Sequence, residues 1–385
     1  LASYMHFERD PEVINQLYKS ADNITAQDIK AVANKYFVDD ARTTVTMSAL
    51  DKAPGFEQET SLNALVAKRD KAPEAPVFKV LDKTNSSPLI DVNFLFNTGA
   101  AADPQGKKGV AALTAAMLAQ GGSQSTSYKD IQKALYPLAG SFGYQIDKEM
   151  LSFQGRIHKD NAATWYALVS DQLLNPGFRD DDFKRLKKEM IDGIKSGLKA
   201  SNDEELGKEV LYSALYKGHP YESYNYGDIS DLEALTLDDV KAFYNTELTQ
   251  SKLTLGLIGA VPKALKAEIM SDLATLPKGE QSRLSIPDAP ELKGHHATIV
   301  EKSAQSTAVS FGFPIDTIRS SEDWTALWLV RSYFGEHRSS NSYLYERIRQ
   351  TRGMNYGDYA YIEYFPRGMF QTKPDANLGR SEQIF

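Results

Sequence analysis

Two stretches far apart in this chain of 385 residues share one pattern. Residues 24–34 read ITAQDIKAVAN, and residues 235–245 read LTLDDVKAFYN. The identities in the first copy are Thr25, Asp28, Lys30, Ala31 and Asn34, which match Thr236, Asp239, Lys241, Ala242 and Asn245 in the second. Short helix starts also resemble one another by chance, so the flanking elements decide whether this is a true repeat.

The flanking elements follow in the same order in both copies. A Thr stands three positions before an Asp, which is typical of a helix start whose side chains satisfy free backbone amides. A polar turn and a β-prone run come next: TTVTMSAL at 43–50 and KLTLGLIGAV at 252–261. Three features in one order favour a true repeat, with units of about 210 residues.

The repeat predicts how the chain is divided. Residues 1–50 are interpreted as the tail of a preceding homologous unit, 76–283 as one complete unit, and 284–385 as the truncated first part of a further unit. Residues 51–75 are charged and punctuated by proline, which predicts an interdomain linker with one short helix at 62–68. One hydrophobic core seldom serves so long a chain, so several units are expected.

Patterns within 76–283 predict the fold class. Ile90, Val92, Phe94 and Phe96 alternate with polar residues, which predicts a half-buried strand. Two alternating runs within 140–158 predict a hairpin. Helical patterns cover 110–120, 128–139, 160–174, 180–200, 203–216 and 236–245. This order predicts an α+β fold, with a mainly antiparallel sheet and helices packed on one face.

Composition excludes several classes of function. The net charge of −7 argues against a nucleic-acid partner, because phosphate binding usually requires a basic surface. The sequence has no cysteine, which excludes disulfides, thiolate nucleophiles and cysteine-bound zinc. No apolar run reaches the ~18 residues of a membrane-spanning helix, so we expect no membrane span.

The helix predicted at 110–120 follows a strand, where many enzymes place their chemistry, yet it carries no ionisable side chain. Ala112, Leu113, Ala116 and Met117 have the spacing of a helix face that packs on a core. The helix is therefore expected to be retained for packing.

Four stretches resemble the insulinase-like (pitrilysin) zinc metallopeptidase family. They read FNTGAAADPQGKKGVAAL from 96, GHPYESYNYGDISDLEALTLDDVKAFYNTEL from 218, LIGAVPKALKAEIMSDLATLP from 257 and SSNSYLYERIRQTRGMNYGDYAY from 339. The resemblance spans essentially the whole chain. It implies the LuxS/MPP-like metallopeptidase fold and two homologous halves that close around a peptide, with zinc only in the N-terminal half.

In active members of this family the helix carries His-x-x-Glu-His, in which both His bind zinc and the Glu activates a metal-bound water. The resemblance places this motif where the sequence reads ALTAA, so that Ala112, Ala115 and Ala116 replace the three functional residues. The third-ligand region falls near Asp192 and Gly193. Since one carboxylate cannot hold zinc, Asp192 is expected to be a solvated helix residue.

The six histidines do not supply another metal site. His295 and His296 are adjacent, so they point to opposite faces of an extended segment. His219 and His337 have no carboxylate or His at ligand spacing. The other two, His6 and His158, are interpreted as surface or packing residues. We therefore expect no metal and no cofactor in this chain, with zinc bound by the N-terminal half.

The family's C-terminal half carries an Arg followed seven residues later by a Tyr. Arg349 and Tyr356 match this motif, while Arg347 and Arg352 are alternatives for the Arg. The resemblance implies that both side chains bind substrate by donating to its carbonyl oxygen as that atom becomes negative. The alternative is a solvated Arg at a helix end and a half-buried Tyr in a strand.

The sequence thus predicts the C-terminal, zinc-free half of a two-half insulinase-like zinc metallopeptidase. It would be inactive by itself and contribute substrate binding and closure. Its partners would be a peptide or unfolded-protein substrate and the zinc-binding half, in the same or a separate chain, in the bacterial periplasm or cell envelope. The alternatives are a non-catalytic structural or peptide-binding subunit of a peptidase-like assembly, and an autonomous peptide-binding scaffold.

Overall fold

A computed structural model describes part of the chain. The described residues are 24–37, 77–280, 286–288, 290–304, 306–315, 323–335, 339–354, 360, 363–365 and 382–384. The chain forms two compact units, Leu1–Ala75 and Pro76–Phe385. The strand predicted at 43–50 and the linker helix predicted at 62–68 lie outside the described residues.

Helix α1, Ala26–Tyr36, is the described element of the first unit. Thr25 and Asp28 form a capping box at its start: the Asp28 amide donates to Thr25 Oγ1 at 3.2 Å, and the Thr25 amide donates to Asp28 Oδ2 at 2.8 Å. Thr236 and Asp239 make the same pair of hydrogen bonds at 3.3 and 2.9 Å. The predicted helix starts are therefore confirmed in both copies.

The described residues of the second unit form two sheets and the remaining helices. Its strands are β1 Lys79–Thr84, β2 Leu89–Phe96, β3 Gly143–Ile146, β4 Leu151–His158, β5 Leu253–Gly259, β6 Pro314–Ile315, β7 Glu363–Phe365 and β8 Glu382–Ile384. Its helices are α2 Val110–Gln120, α3 Tyr128–Leu135, α4 Ala162–Leu174, α5 Asp180–Asp192, α6 Asp203–Leu215, α7 Ile229–Ala234, α8 Leu237–Glu247, α9 Lys263–Leu273 and α10 Asp323–Gly335.

The larger sheet has the strand order β1-β5-β2-β4-β3, and the smaller has β6-β8-β7. In the larger sheet β2 pairs antiparallel with β4 and β5, and β3 pairs antiparallel with β4, which confirms the predicted hairpin. The sequence did not predict β1, which runs parallel to β5. The sheet is therefore mixed but mainly antiparallel, and the α+β prediction is confirmed.

One face of the larger sheet carries the core. Ile90, Val92, Phe94 and Phe96 are fully buried and belong to the same apolar cluster as residues of α2, α4 and α8. On the other face, Arg156 Nε donates to Asp91 Oδ1 at 2.6 Å in an exposed ion pair. The alternation of β2 thus separates a helix-covered face from a polar one.

The helix predicted at 180–200 changes its winding within that range. Helix α5 ends at Asp192, and the chain continues as a π-helical segment, Gly193–Ala200. Gly193 and Gly197 have poor helix propensity, so the α-helical hydrogen-bond pattern is weakest here. Among the described residues, no helix is both long and apolar enough to cross a bilayer.

Candidate functional site

The site begins at the loop that leads from β2 into α2. The Asp103 carboxylate accepts hydrogen bonds from the Gly109 amide at 2.6 Å and the Ala111 amide at 2.9 Å. It thereby satisfies free donors at the start of α2. Burial raises the pKa of Asp103 to about 7. The two hydrogen bonds and the charges of Lys108 and Lys148 act in the opposite direction but are outweighed.

The segment Tyr224–Gly227 lies against the same end of α2. Gly227 has φ of +85°, and a Cβ atom there would overlap the Lys108 carbonyl oxygen. Gly109 has φ of +95°, and its Cβ would lie 2.8 Å from the Tyr226 carbonyl oxygen. Two glycines are needed for this close approach of backbones, which places Tyr224 and Tyr226 beside α2.

Helix α2 is buried on all sides. Ten of its residues, Val110 to Ala119, are buried, and Ala112 and Ala115 have no exposed surface. The prediction of one core-facing stripe at Ala112, Leu113, Ala116 and Met117 is thus incomplete. Helix α2 packs against the sheet on one side and against α8 and α5 on others. An apolar helix surrounded in this way is a core element.

A cavity of about 290 Å³ opens beside α2, and we call it the tyrosine cavity. It is lined by Ala116, Gln120, Tyr144, Leu186, Glu189, Met190, Gly193, Ile194, Tyr224 and Tyr226. Ala116 and Leu186 are buried, whereas Glu189 and Gly193 are exposed, so the cavity opens to solvent beside these two residues.

The residues at this position do not fit a zinc ion. Ala112, Ala115 and Ala116 have no donor atom, and only Ala116 of the three lines the cavity. Gly193 also lines it, but its neighbour Asp192 does not, and the Asp192 carboxylate is instead paired with Lys188. Asp192 is half-exposed, as expected for a solvated helix residue.

Two of the described histidines use their ring nitrogens for local hydrogen bonds. His219 is buried; its Nδ1 accepts from the Tyr221 amide at 3.1 Å, so its Nε2 carries the proton and donates to the Pro287 carbonyl at 3.0 Å. His296 Nε2 lies 2.9 Å from the Lys293 carbonyl. Within the described ranges, no three His, Cys, Asp or Glu side chains are grouped so that they could hold a metal ion.

The structure describes one member of the predicted pair Arg349 and Tyr356. Arg349 lies in a second π-helical segment, Tyr345–Gln350, and its guanidinium carbon is 4.8 Å from the centre of the Tyr345 ring. Arg347 packs on Tyr343 in the same way, at 5.3 Å. Tyr356 lies outside the described residues, as do His6 and His337. The substrate-binding role of Arg349 and Tyr356 stays a prediction.

A buried charged side chain holds the residue next to Tyr224. Lys148, in the β3–β4 turn, is buried, and its Nζ donates to the Ser223 carbonyl at 2.5 Å. Burial lowers the pKa of Lys148, while the charges of Glu209, Asp147 and Asp103 act in the opposite direction. This lysine therefore ties the β3–β4 turn to the segment that carries Tyr224.

Sequence reasoning missed the tyrosine cavity. Tyr224 and Tyr226 stand two positions apart in ESYNYGD, within a stretch that resembles the family, and Tyr144 lies in the predicted hairpin. Tyr224 and Tyr226 belong to a turn closed by a hydrogen bond from the Gly227 amide to the Tyr224 carbonyl at 2.8 Å, so the alternation rule for strands does not apply to them. Their meeting with Tyr144 depends on tertiary packing.

Two family models match the chain. The model described as Insulinase (Peptidase family M16) matches residues 79–228, and the model described as Peptidase M16 inactive domain matches residues 234–373. The chain belongs to the insulinase-like peptidase family M16, and it lacks the family's zinc-binding motif.

Curated relatives are distant. An uncharacterized zinc protease of Rickettsia bellii is 22% identical over 73% of this chain and 66% of its own length. An uncharacterized zinc protease of Mycobacterium leprae is 23% identical over 61% of this chain and 53% of its own. A Helicobacter pylori protein named as a non-peptidase homolog is 21% identical over 78% of this chain and 69% of its own length. The chain thus spans between about half and two thirds of the length of the first two.

Solved structures share the fold. A peptidase M16 inactive domain from Pseudomonas fluorescens has a TM-score of 0.63 and 23% identity, covering 80% of this chain and 71% of that one. A conserved protein from Enterococcus faecalis has a TM-score of 0.58 and 14% identity, covering 74% and 71%.

Proposed function

We propose that this chain is the zinc-free half of a two-half insulinase-like peptidase, and that it binds the peptide and closes over it while a homologous half binds the metal. The observation that carries the proposal is that α2 is buried and has no metal-binding side chain at the motif positions. This helix occupies the position of the family's metal-binding helix, but Ala112, Ala115 and Ala116 leave it without a ligand or a general base, and it is packed as a core element.

The chain's own residues suit binding better than bond cleavage. A solvent-accessible cavity lined by three Tyr side chains lies where a metal site would be, and such amphipathic rings bind side chains well. In this proposal Arg349 and Tyr356 donate to the carbonyl oxygen of the bound peptide when the two halves close.

A second candidate is a separate, non-catalytic subunit of a peptidase-like assembly. The naming of the Helicobacter pylori relative as a non-peptidase homolog favours it. The two candidates differ in whether the zinc-binding half is in the same polypeptide. The mass of the native polypeptide in cells distinguishes them, because a fused protein contains both halves in one chain.

The proposal is tested with quenched fluorescent oligopeptides. The purified chain should bind them without hydrolysis, and it should raise peptide hydrolysis when combined with the zinc-binding half from the same organism. An unchanged rate after combination would overturn the proposal. So would chelator-sensitive hydrolysis by this chain alone.

A further inference from the structure

We propose that the tyrosine cavity is a subsite for one basic side chain, Lys or Arg, of the bound peptide. The assignment of a peptide as the source of this cation rests on the proposed function. The cation chemistry itself follows from the aromatic rings and the acidic side chain that line the cavity.

Three aromatic rings converge on the cavity from separate elements. Tyr144 comes from β3, and Tyr224 and Tyr226 come from the segment that lies against α2. The Tyr224 and Tyr226 rings have centroids 5.4 Å apart and are tilted by 49°, so they present an angled pair of faces. A cation is attracted to such faces within about 6 Å of a ring centre, and groups of rings recognise ammonium ligands.

One acidic side chain lines the cavity, and two others act on Tyr224 through their charge. Glu189 lines the cavity at its opening. Burial, followed by the charges of Tyr226 and Glu189, raises the pKa of Tyr144 to about 12. The pKa of Tyr224 is raised to about 12, mainly by burial and to a smaller extent by the charges of Glu209, Tyr226 and Glu205. The negative charges that disfavour a tyrosinate also favour a cationic ligand.

The cations on the neighbouring helices have partners of their own, and one of them, Arg185, shares Glu189 with the cavity. Arg185 is shared between Asp182 at 2.9 Å and Glu189 at 3.3 Å, and it also donates to the Gln120 carbonyl. Lys188 is paired with Asp192.

Two further lysines face other partners. Lys187 donates to the carbonyls of Glu233 and Leu235 at 2.7 and 2.8 Å. Lys208 is paired with Glu204 and Glu205 at 3.0 and 2.8 Å. None of these four cations lines the cavity, so a basic ligand meets the aromatic faces without a competing side chain.

Size and polar groups suit a side chain. A volume of about 290 Å³ is at the lower end of ligand pockets, so the cavity takes a side chain and not a larger molecule. Among the described contacts, the hydroxyls of Tyr144, Tyr224 and Tyr226 have no hydrogen-bond partner. Ala116 and Leu186 supply buried apolar surface for the aliphatic stem, and the tyrosine rings and hydroxyls receive the charged end.

The test compares two extended peptides that differ only in one residue, Lys or norleucine. The side chains have the same aliphatic stem, so a difference in affinity reports the charge. The Lys peptide should bind about tenfold more tightly, as cation–π contacts in a desolvated site allow. Free n-butylammonium, followed by its NMR line width, should bind weakly in the same cavity.

Variants assign the effect to the cavity. Tyr224→Leu should remove most of the preference for Lys, and Tyr224→Phe should keep it, because a phenyl face also attracts cations. Glu189→Gln should reduce the preference without removing it. Matched controls are Tyr136→Leu, at a Tyr that is 88% exposed, and Glu233→Gln, on α7; neither residue lines the cavity.

The outcomes separate this assignment from the proposed function. A Lys preference lost in Tyr224→Leu and kept in Tyr224→Phe supports the subsite. Equal binding of both peptides overturns the subsite and leaves the peptide-binding function standing. Binding of n-butylammonium without binding of either peptide overturns the proposed function, and with it the peptide as the source of the cation.

Discussion

Ala116 of α2 and Gly193 of the first π-helical segment line the same cavity. Ala116 has only a methyl side chain, and Gly193 has none, so neither offers an atom that can coordinate a metal. Ala112 and Ala115 are buried in the core and do not line the cavity. The structure therefore distinguishes one replaced motif position that borders open space from two that are enclosed by packing.

That distinction predicts how the helix responds when histidines are introduced. Ala112→His should destabilise the protein strongly, because an imidazole there has no space and no polar partner; overpacking alone typically costs 1–3 kcal/mol. Ala116→His should cost clearly less, since its side chain enters the cavity. Urea unfolding of both variants checks this. Equal losses would mean that Ala116 is as enclosed as Ala112.

The close approach of Gly227 to Lys108 predicts a second effect. Gly227→Ala should lower the free energy of unfolding for two reasons. A positive φ costs a residue with a Cβ about 1–2 kcal/mol, and the new Cβ would overlap the backbone of Lys108. Gly218→Ala is the matched control, because Gly218 has φ of +78° and open space around its Cβ position. Chemical unfolding should show a larger loss for Gly227→Ala, and its Lys-peptide binding should weaken. Equal losses would contradict the contact between the Tyr224–Gly227 segment and α2.

The capping box of α8 predicts a pH-dependent contribution to stability. Hydrogen bonds from Lys107 and Thr236 lower the pKa of Asp239 to about 2. The folded pKa lies below the unfolded value of about 3.9, so the stabilisation is complete above that value and is lost as the pH falls from about 4 through 2. Asp239→Asn should lower the free energy of unfolding by roughly 1 kcal/mol at pH 7.

Urea titrations at pH 7 and at pH 3 measure this difference, which should be smaller at pH 3. The control is Asp238→Asn, whose side chain is 93% exposed and lies 3.8 Å from Lys241; it should have little effect at either pH. A difference for Asp239→Asn that grew on acidification would show that its carboxylate does not stabilise the folded state.

The family motif at Arg349 and Tyr356 predicts a kinetic effect in the complete peptidase. Arg349→Ala or Tyr356→Phe should lower kcat by ~10²–10³-fold, the usual loss of an oxyanion donor, with zinc content and folding unchanged. Substrate affinity should change much less, because the contact forms mainly in the transition state. Arg347→Ala tests the alternative Arg of the motif, and Arg156→Ala, in the exposed ion pair with Asp91, is the control. Wild-type turnover in both test variants would leave the two residues with structural roles only.

The sequence carried enough information for most of the fold. Alternation in β2, the β3–β4 hairpin and the capped start at Thr236 depend on neighbours within a few residues, so they could be predicted locally. Strand β1 was missed because its pairing with β5 joins residues far apart in the sequence, and its own residues, KVLDKT, are only partly apolar.

For the candidate site, the sequence predicted only which functional residues are missing. The absence of ligands at Ala112, Ala115 and Ala116 could be inferred once the resemblance was recognised. The tyrosine cavity could not be inferred from the sequence. It forms only when the loop at Gly227 approaches α2 and when β3 places Tyr144 beside that loop. Those contacts depend on the backbone conformation of glycine and on tertiary packing, and neither follows from local periodicity.

The zinc content of the purified chain tests the central claim most directly. Elemental analysis after dialysis against zinc and then against metal-free buffer should find far less than one zinc per chain, with no peptide hydrolysis. The reason is that Ala112, Ala115 and Ala116 supply no ligand, and a structural or catalytic zinc needs at least three protein ligands. About one tightly bound zinc per chain, together with chelator-sensitive hydrolysis, would contradict the account.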